Sequence, residues 1–243
     1  LIETVTVTGS TNADLIGRLG SGESLADGYW LRARRQSGGK GRGGRAWVSP
    51  EGNIYASTIV NLRDTDPAAH TLSMVAGLAV WRMVTDRLKV QNRAKVLLKW
   101  PNDVLVSGAK IAGILLERHG SVIVTGIGIN LSHAPDIADR KTTSLADENS
   151  EMDANPDQAM LDLAACFSDE LAIWRDEGTR SLFARWQAAA HPVGTQISVH
   201  ESDGAIVAGT FAGLADDGGL RLCLANGAVR TIHAGDVSLI AEG

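Results

Sequence analysis

Residues 2–8 (IETVTVT) are β-branched and in part alternate with period two, which predicts a strand. Gly9-Ser10-Thr11-Asn12 breaks it and offers hydroxyl and amide caps to a helix over about 12–19. Tyr29 to Ala33 suits a second strand, and Asn53 to Leu62 alternates as a third. Asp66-Pro67 has the form of an N-cap followed by proline at the first helical position. The helix it predicts, over about 67–89, buries Leu72, Val75, Ala76, Ala79 and Met83. Strands follow over Lys95 to Trp100, Val104 to Val106, Lys110 to Glu117 and Ser121 to Gly128, with hairpin and turn signals at Pro101-Asn102 and Ser107-Gly108. Helices over about 157–177 and 179–190 complete this part.

Past His191-Pro192 the pattern changes. Gln196 to His200, Ala205 to Phe211, Leu220 to Leu224 and Val229 to His233 read as short strands, separated by turns at Asp203-Gly204, Asp216 to Gly219 and Asn226-Gly227. The neighbouring hairpins make the first sheet at least partly antiparallel. The expected fold is therefore α/β of the α+β type: a mixed sheet with helices on one face, followed by a small β-barrel. The boundary falls near residue 191, giving units 1–191 and 192–243, and the polar stretch 132–155 reads as a mobile connection.

Composition narrows the class. Apolar residues make up 44% and charged residues 21%, which suits a folded soluble chain and excludes disordered or collagenous ones. A net charge of −5 opposes general attraction to nucleic acid or anionic membrane, so any basic site is local. Cys166 and Cys223 form neither a CxxC nor a zinc pattern, and neither a membrane span nor a signal peptide is evident, so a reducing, cytoplasmic setting is expected.

The most unusual segment is Ser37 to Arg45 (SGGKGRGGR), with five glycines and three cations. Glycine permits close backbone approach, so Lys40, Arg42 and Arg45 and the loop amides suit a phosphate, although a merely solvated basic loop reads equally well. It is neither a Walker A loop nor a GxGxxG turn. Lys99-Trp100-Pro101-Asn102-Asp103 puts a cation at a strand end and an amide and carboxylate in the adjoining turn, as an ordinary capped turn also would. Lys110 sits among apolar neighbours and, if it faces inward, requires an anionic partner. Gly126-Ile127-Gly128-Ile129-Asn130 ends a strand with glycines and an amide, fit for a flat ring or for a tight turn. The six histidines are scattered, and no Ser–His–Asp order or HExxH spacing supports a hydrolase or metalloenzyme.

Taken in order, Gly9 to Asn12, Gln36-Ser37, Gly39 to Arg45, Trp47, Lys99 to Asp103, Lys110 to Gly113 and Gly126 to Asn130 resemble the biotin protein ligases. The final β segment is similar to that family's SH3-like barrel. The resemblance implies a class II aminoacyl-tRNA-synthetase-like catalytic domain. It also implies two steps: biotin and MgATP give biotinyl-5′-AMP and pyrophosphate, and a lysine of a biotin carboxyl carrier protein then displaces AMP.

By resemblance, Ser10, Thr11, Asn12, Gln36, Gly39, Lys40, Gly41, Arg42, Lys110 and Gly113 would hold biotin, Gly113 leaving space against its bicyclic ring. Arg45, Trp47, Asn102 and Asn130 would hold ATP or the adenylate, and Lys99, Asp103, Arg42 and Lys110 would act at the acyl phosphate; no metal ligand is assigned. Lys40 stands where the family's G-R-G-R-x-G-R pattern has its first arginine, so charge is kept and the bidentate fork is lost. Some members carry a helix-turn-helix ahead of this domain, whereas Leu1 already opens the first strand, so control by DNA binding is not expected. A homodimer is compatible with the resemblance and membrane binding is not implied. The alternatives are a lipoate ligase, which shares the chemistry, a nucleic-acid-binding module using the basic loop with Trp47 as a stacking platform, and a carrier-domain adaptor without ATP turnover.

Overall fold

The computed structural model describes residues 1–138, 140–149, 151, 155–201 and 204–240. Seven strands form the first sheet: β1 (Ile2–Thr8), β2 (Trp30–Gln36), β3 (Ile54–Asn61), β4 (Val96–Lys99), β5 (Asp103–Val106), β6 (Ala109–His119) and β7 (Val122–Ile129). Their order is β1-β2-β3-β7-β6-β5-β4, with β1 parallel to β2 and the other pairs antiparallel, so the sheet is mixed as expected.

Period-two alternation divides this sheet between two cores. Trp30, Val60 and Ile123 face the main core with α2 (Leu72–Arg87) and α4 (Pro156–Ala188). Their neighbours Leu31, Ile59 and Val124 face the other way, onto Leu15 of α1 (Thr11–Gly20). The expectation of helices on one face is thus corrected, because α1 covers the opposite side. α2 is buried nearly all round since it lies between the sheet and α4.

Leu72, Val75, Ala76, Ala79 and Met83 are all buried as the pattern requires, but α2 starts later than the proline signal suggests. Asp66 does not cap it: its carboxylate accepts from the guanidinium of Arg175 at 3.1 Å and from the Arg63 amide at 3.1 Å. A single 3-10 turn, Ala69–Thr71, leads into Leu72 instead. α4 holds both late helices, broken where Gly178 takes φ 71. Asn155 caps it by accepting from the amides of Asp157 and Gln158. The short α3 (Leu145–Glu148) carries a Ser144–Asp147 capping box.

The second sheet comprises β8 (Gln196–His200), β9 (Ile206–Leu214), β10 (Leu220–Cys223), β11 (Val229–Ile232) and β12 (Asp236–Leu239), in the order β11-β10-β9-β8-β12 and antiparallel throughout. The pattern missed β12, whose four residues bury only Val237. Asp203 of the anticipated Asp203-Gly204 turn, and residues 139, 150 and 152–154 of the 132–155 connection, lie outside the described residues. Among the described residues no helix is long and apolar enough to cross a membrane.

Candidate active site

A cavity of about 340 Å³ opens where α1, the glycine loop, the β4–β5 turn, β6, β7 and the start of β12 meet. Of the sequence-derived candidates, Ser10, Thr11, Asn12, Gln36, Lys40, Gly41, Arg42, Arg45, Trp47, Lys99, Asn102, Asp103, Lys110, Gly113 and Asn130 all line it. Gly39 does not. A Cβ there would sit 2.6 Å from the Trp47 carbonyl oxygen, so this glycine allows the close pass that closes the loop, with the Trp47 amide donating to the Gly39 carbonyl at 2.9 Å.

One wall is a chain of polar side chains at the start of α1. Ser10 is the N-cap of that helix. The Thr11 amide donates to Gln36 Oε1 at 2.9 Å, and Thr11 Oγ1 lies 2.6 Å from Ser57 Oγ. Ser57 donates its proton to Asn12 Oδ1 at 2.6 Å, so Thr11 is the donor in the hydroxyl pair. Asn12 Nδ2 in turn donates to Glu117 at 2.7 Å. Both polar ends of Asn12 are therefore engaged by protein. Only glycine fits at position 126, where a Cβ would come within 2.4 Å of Asn12 Oδ1.

The glycine loop makes one 3-10 turn, Arg42–Gly44, with Gly43 and Gly44 both left-handed at φ 63 and 73. It is tied to the second sheet. Arg45 makes a bidentate pair with Asp236 at 2.6 and 3.0 Å, and Arg42 lies 3.6 Å from the same carboxylate. Arg42 also donates to Asn102 Oδ1 and to the Gly235 carbonyl, both at 3.3 Å. Trp47 lies over a slot made by two glycines that face each other across β6 and β7. A Cβ at Gly128 would meet the indole at 2.5 Å and one at Gly113 would meet it at 3.1 Å. The space anticipated beside Gly113 is thus filled by Trp47, whose buried Nε1 has no acceptor among the described residues.

At the centre two lysines share one carboxylate. Lys110 Nζ lies 2.5 Å from Asp103 Oδ1, and Lys99 Nζ lies 3.2 Å from Asp103 Oδ2 and donates to the Val237 carbonyl at 3.0 Å. Register explains the convergence: Lys99 pairs with Asp103 across β4 and β5, and Asp103 pairs with Gly113 across β5 and β6. Burial pushes the Asp103 carboxyl up, but the attraction of Lys110 and Lys99 outweighs it and holds the group below its usual range. The Lys110 ammonium goes the other way. Burial lowers its pKa, half a share of Asp103 does not restore it, and Lys99 and Arg140 repel it further. Such a site lacks anionic charge. Lys110 also lies 5.3 Å from the Trp47 ring centroid.

Sequence reasoning missed Asp236, Arg140 and Ser57, although Asp236 and Arg140 line the cavity and Ser57 completes the polar wall. No local motif marks them, because each reaches its place through tertiary contacts. Asn130 donates through Nδ2 to the Thr143 carbonyl at 3.1 Å, while its buried Oδ1 has no donor among the described residues.

Residues 7–133 match the Biotin/lipoate A/B protein ligase family and residues 194–240 the Biotin protein ligase C terminal domain. A Mycobacterium tuberculosis protein named biotin-acetyl-CoA-carboxylase ligase is 37% identical over 97% of this chain and 88% of its own length. One of the same name from Paracoccus denitrificans is 35% identical, over 88% of this chain and 91% of its own. The structure superposes on the biotin protein ligase of Aquifex aeolicus in complex with biotin and ATP with a TM-score of 0.82 and 25% identity, covering 99% of each chain.

Proposed function

The chain belongs to the biotin/lipoate A/B protein ligase family, and on that premise we propose that it is an ATP-dependent ligase that activates biotin as biotinyl-5′-AMP and transfers it to a lysine of a biotin carboxyl carrier protein. The observation that carries this reading is a cavity in which two carboxylates, Asp103 and Asp236, are each shared by two cations. An added carboxylate and a phosphate would complete the charge. Residues 1–191 would form the catalytic unit and 192–243 the unit that braces the glycine loop through Asp236. A reducing cytoplasm suits the two free cysteines.

In the first step a biotin carboxylate oxygen attacks the α-phosphorus and pyrophosphate leaves. Two like unit charges about 4 Å apart repel by about 4 kcal/mol at an effective dielectric of 20, so Lys110, Arg42 and Lys40 offset that repulsion. No enzyme nucleophile is required, since positioning and charge stabilisation drive in-line attack. Thr11 and Gln36 offer hydroxyl and amide groups to the polar ring of biotin, while Asn12, engaged by Ser57 and Glu117, holds their wall in place. Asn130 Oδ1 and Trp47 Nε1, buried and unpartnered among the described residues, would serve the nucleotide side. Magnesium enters with ATP as part of the substrate. In the second step Asp103 and Lys99 lie beside the acyl phosphate, near the incoming lysine.

ATP–pyrophosphate exchange tests this reading. Exchange that requires biotin supports it, whereas exchange with lipoate alone, or none with either, refutes it.

Two further results are expected. Because Lys110 must be charged in the free enzyme, and burial with an incomplete counterion loosens its proton, the alkaline limb of kcat/KM falls below the ordinary lysine value of about 10.4. An alkaline limb at or above that value would contradict the assignment. Arg42→Gly removes the contacts to Asn102, Gly235 and Asp236 that pin the loop, so biotinyl-5′-AMP escapes faster, by roughly tenfold or more for charge-assisted contacts. Release of labelled adenylate measured by rapid filtration checks this.

A further inference from the structure

Among the described residues six cations border the cavity: Lys40, Arg42, Arg45, Lys99, Lys110 and Arg140. Four have acidic partners, Lys99 and Lys110 on Asp103 and Arg42 and Arg45 on Asp236. Lys40 belongs to the glycine loop. Arg140 belongs to no motif identified in the sequence, and its guanidinium makes no ion pair or hydrogen bond among the described residues.

The chain is anchored on either side of it. At one end Asn53 Oδ1 accepts from the amides of Leu131, Ser132 and His133 at 2.9, 3.0 and 3.2 Å, and its Nδ2 donates to the His133 carbonyl at 2.8 Å. At the other end the chain pairs with Lys110 itself. The Lys110 amide donates to the Lys141 carbonyl at 2.8 Å and the Thr143 amide to the Lys110 carbonyl at 3.0 Å. Thr142 Oγ1 closes the loop by donating to the Pro135 carbonyl at 2.5 Å. Arg140 is two residues from Thr142, which bridges to Lys110, at most about 7 Å of chain, and Arg140 and Lys110 line the same cavity. Its field acts both on Lys110 and on Asp236, behind the larger effects of burial and nearer partners.

Resting on the biotin-adenylation reading, we propose that Arg140 binds the pyrophosphate that leaves in the first step. A biotin carboxylate oxygen forms a bond to the α-phosphorus as the bond from that phosphorus to the α,β-bridging oxygen breaks. The electron pair goes to that oxygen, and the departing pyrophosphate gains negative charge. The Arg140 guanidinium, protonated throughout, donates hydrogen bonds to this charge and transfers no proton. Arg42 and Arg45, held by Asp236, are built to stay with the adenylate until the second step. An arginine without such a partner among the described residues, carried on a short loop, suits a group that must be bound and then released.

The test is the pyrophosphate dependence of biotin-dependent exchange in the full chain, with inorganic pyrophosphate as the probe. Wild type is compared with Arg140→Ala and with Lys141→Ala, which removes the same charge one residue along and outside the cavity lining. Wild-type exchange establishes the reaction itself, and without it the reading and this proposal both fall. With it, Arg140→Ala is expected to raise the apparent KM for pyrophosphate about tenfold and that for MgATP in parallel. The KM for biotin and the rate of transfer from added biotinyl-5′-AMP stay unchanged, as does Lys141→Ala. Equal effects of the two variants would mean a general charge effect and overturn the proposal. So would slower transfer from biotinyl-5′-AMP, which would place Arg140 on the adenylate, or an unchanged pyrophosphate KM.

Discussion

Replacing Lys110 with alanine is expected to lower biotin-dependent ATP–pyrophosphate exchange by about 10²- to 10³-fold, the range for removing one pre-positioned donor from a developing negative charge. Lys110 is a largely buried cation of the cavity whose counterion is already shared, so it has unmatched charge to offer an incoming anion. Its loss leaves Asp103 with Lys99 at 3.2 Å, so no carboxylate is stranded and the fold survives. Arginine is a poor substitute. Lys110 Nζ already lies 3.1 Å from where a Cβ on Gly113 would stand, and Trp47 covers the same slot, so a planar guanidinium has no room. Steady-state exchange, with urea unfolding as the control for folding, measures both consequences. A Lys110→Ala enzyme that keeps more than a tenth of its exchange would remove this lysine from the chemistry.

How much of this was legible in the sequence depends on whether a residue's role is set locally. Ser10 as a cap, the break between the two late helices and the Lys99–Asp103 turn follow from nearest-neighbour geometry, and the structure carries each of them. The strand alternation of β2, β3 and β7 likewise divides the side chains between two cores, although only the structure shows that α1 covers the second. Asp66 misled because an N-cap and an ion-pair partner are the same side chain, and the deciding residue, Arg175, lies 109 positions away. Asp236 and Arg140 were invisible for the same reason. One sits in a four-residue strand and the other in a loop, and both take their meaning from contacts with segments remote in the chain. Gly113, Gly126 and Gly128 stood out as glycines on strands, but whether the space beside them holds a ligand or the protein is a tertiary fact. Here it holds Trp47 and Asn12.

Asp103→Ala is expected to cost about 3–5 kcal/mol of stability, a large part of the roughly 5–15 kcal/mol that holds a typical domain folded, because it strands two ammonium groups around one largely buried position. The pH dependence follows from the direction of the shift. Asp103 holds its proton less tightly folded than unfolded, so between the two pKa values the unfolded chain binds more protons and stability rises with pH. The contribution is fully present above the unfolded value of about 3.9, fades as pH falls through the lower folded value, and is absent from the variant. Urea titrations from neutral pH down to about pH 3 would show the two proteins converging; parallel curves would mean that Asp103 is not the charged partner. Removing the whole group separates stability from chemistry. In Lys99→Met, Asp103→Leu, Lys110→Met combined, no charge remains to be stranded, so most of the lost stability returns. Exchange stays at background, because the anion-binding cations have gone with it. Recovery of stability without activity would mean that the buried cluster is kept for the reaction and not for the fold, whereas recovery of both would place the adenylation chemistry elsewhere in the cavity.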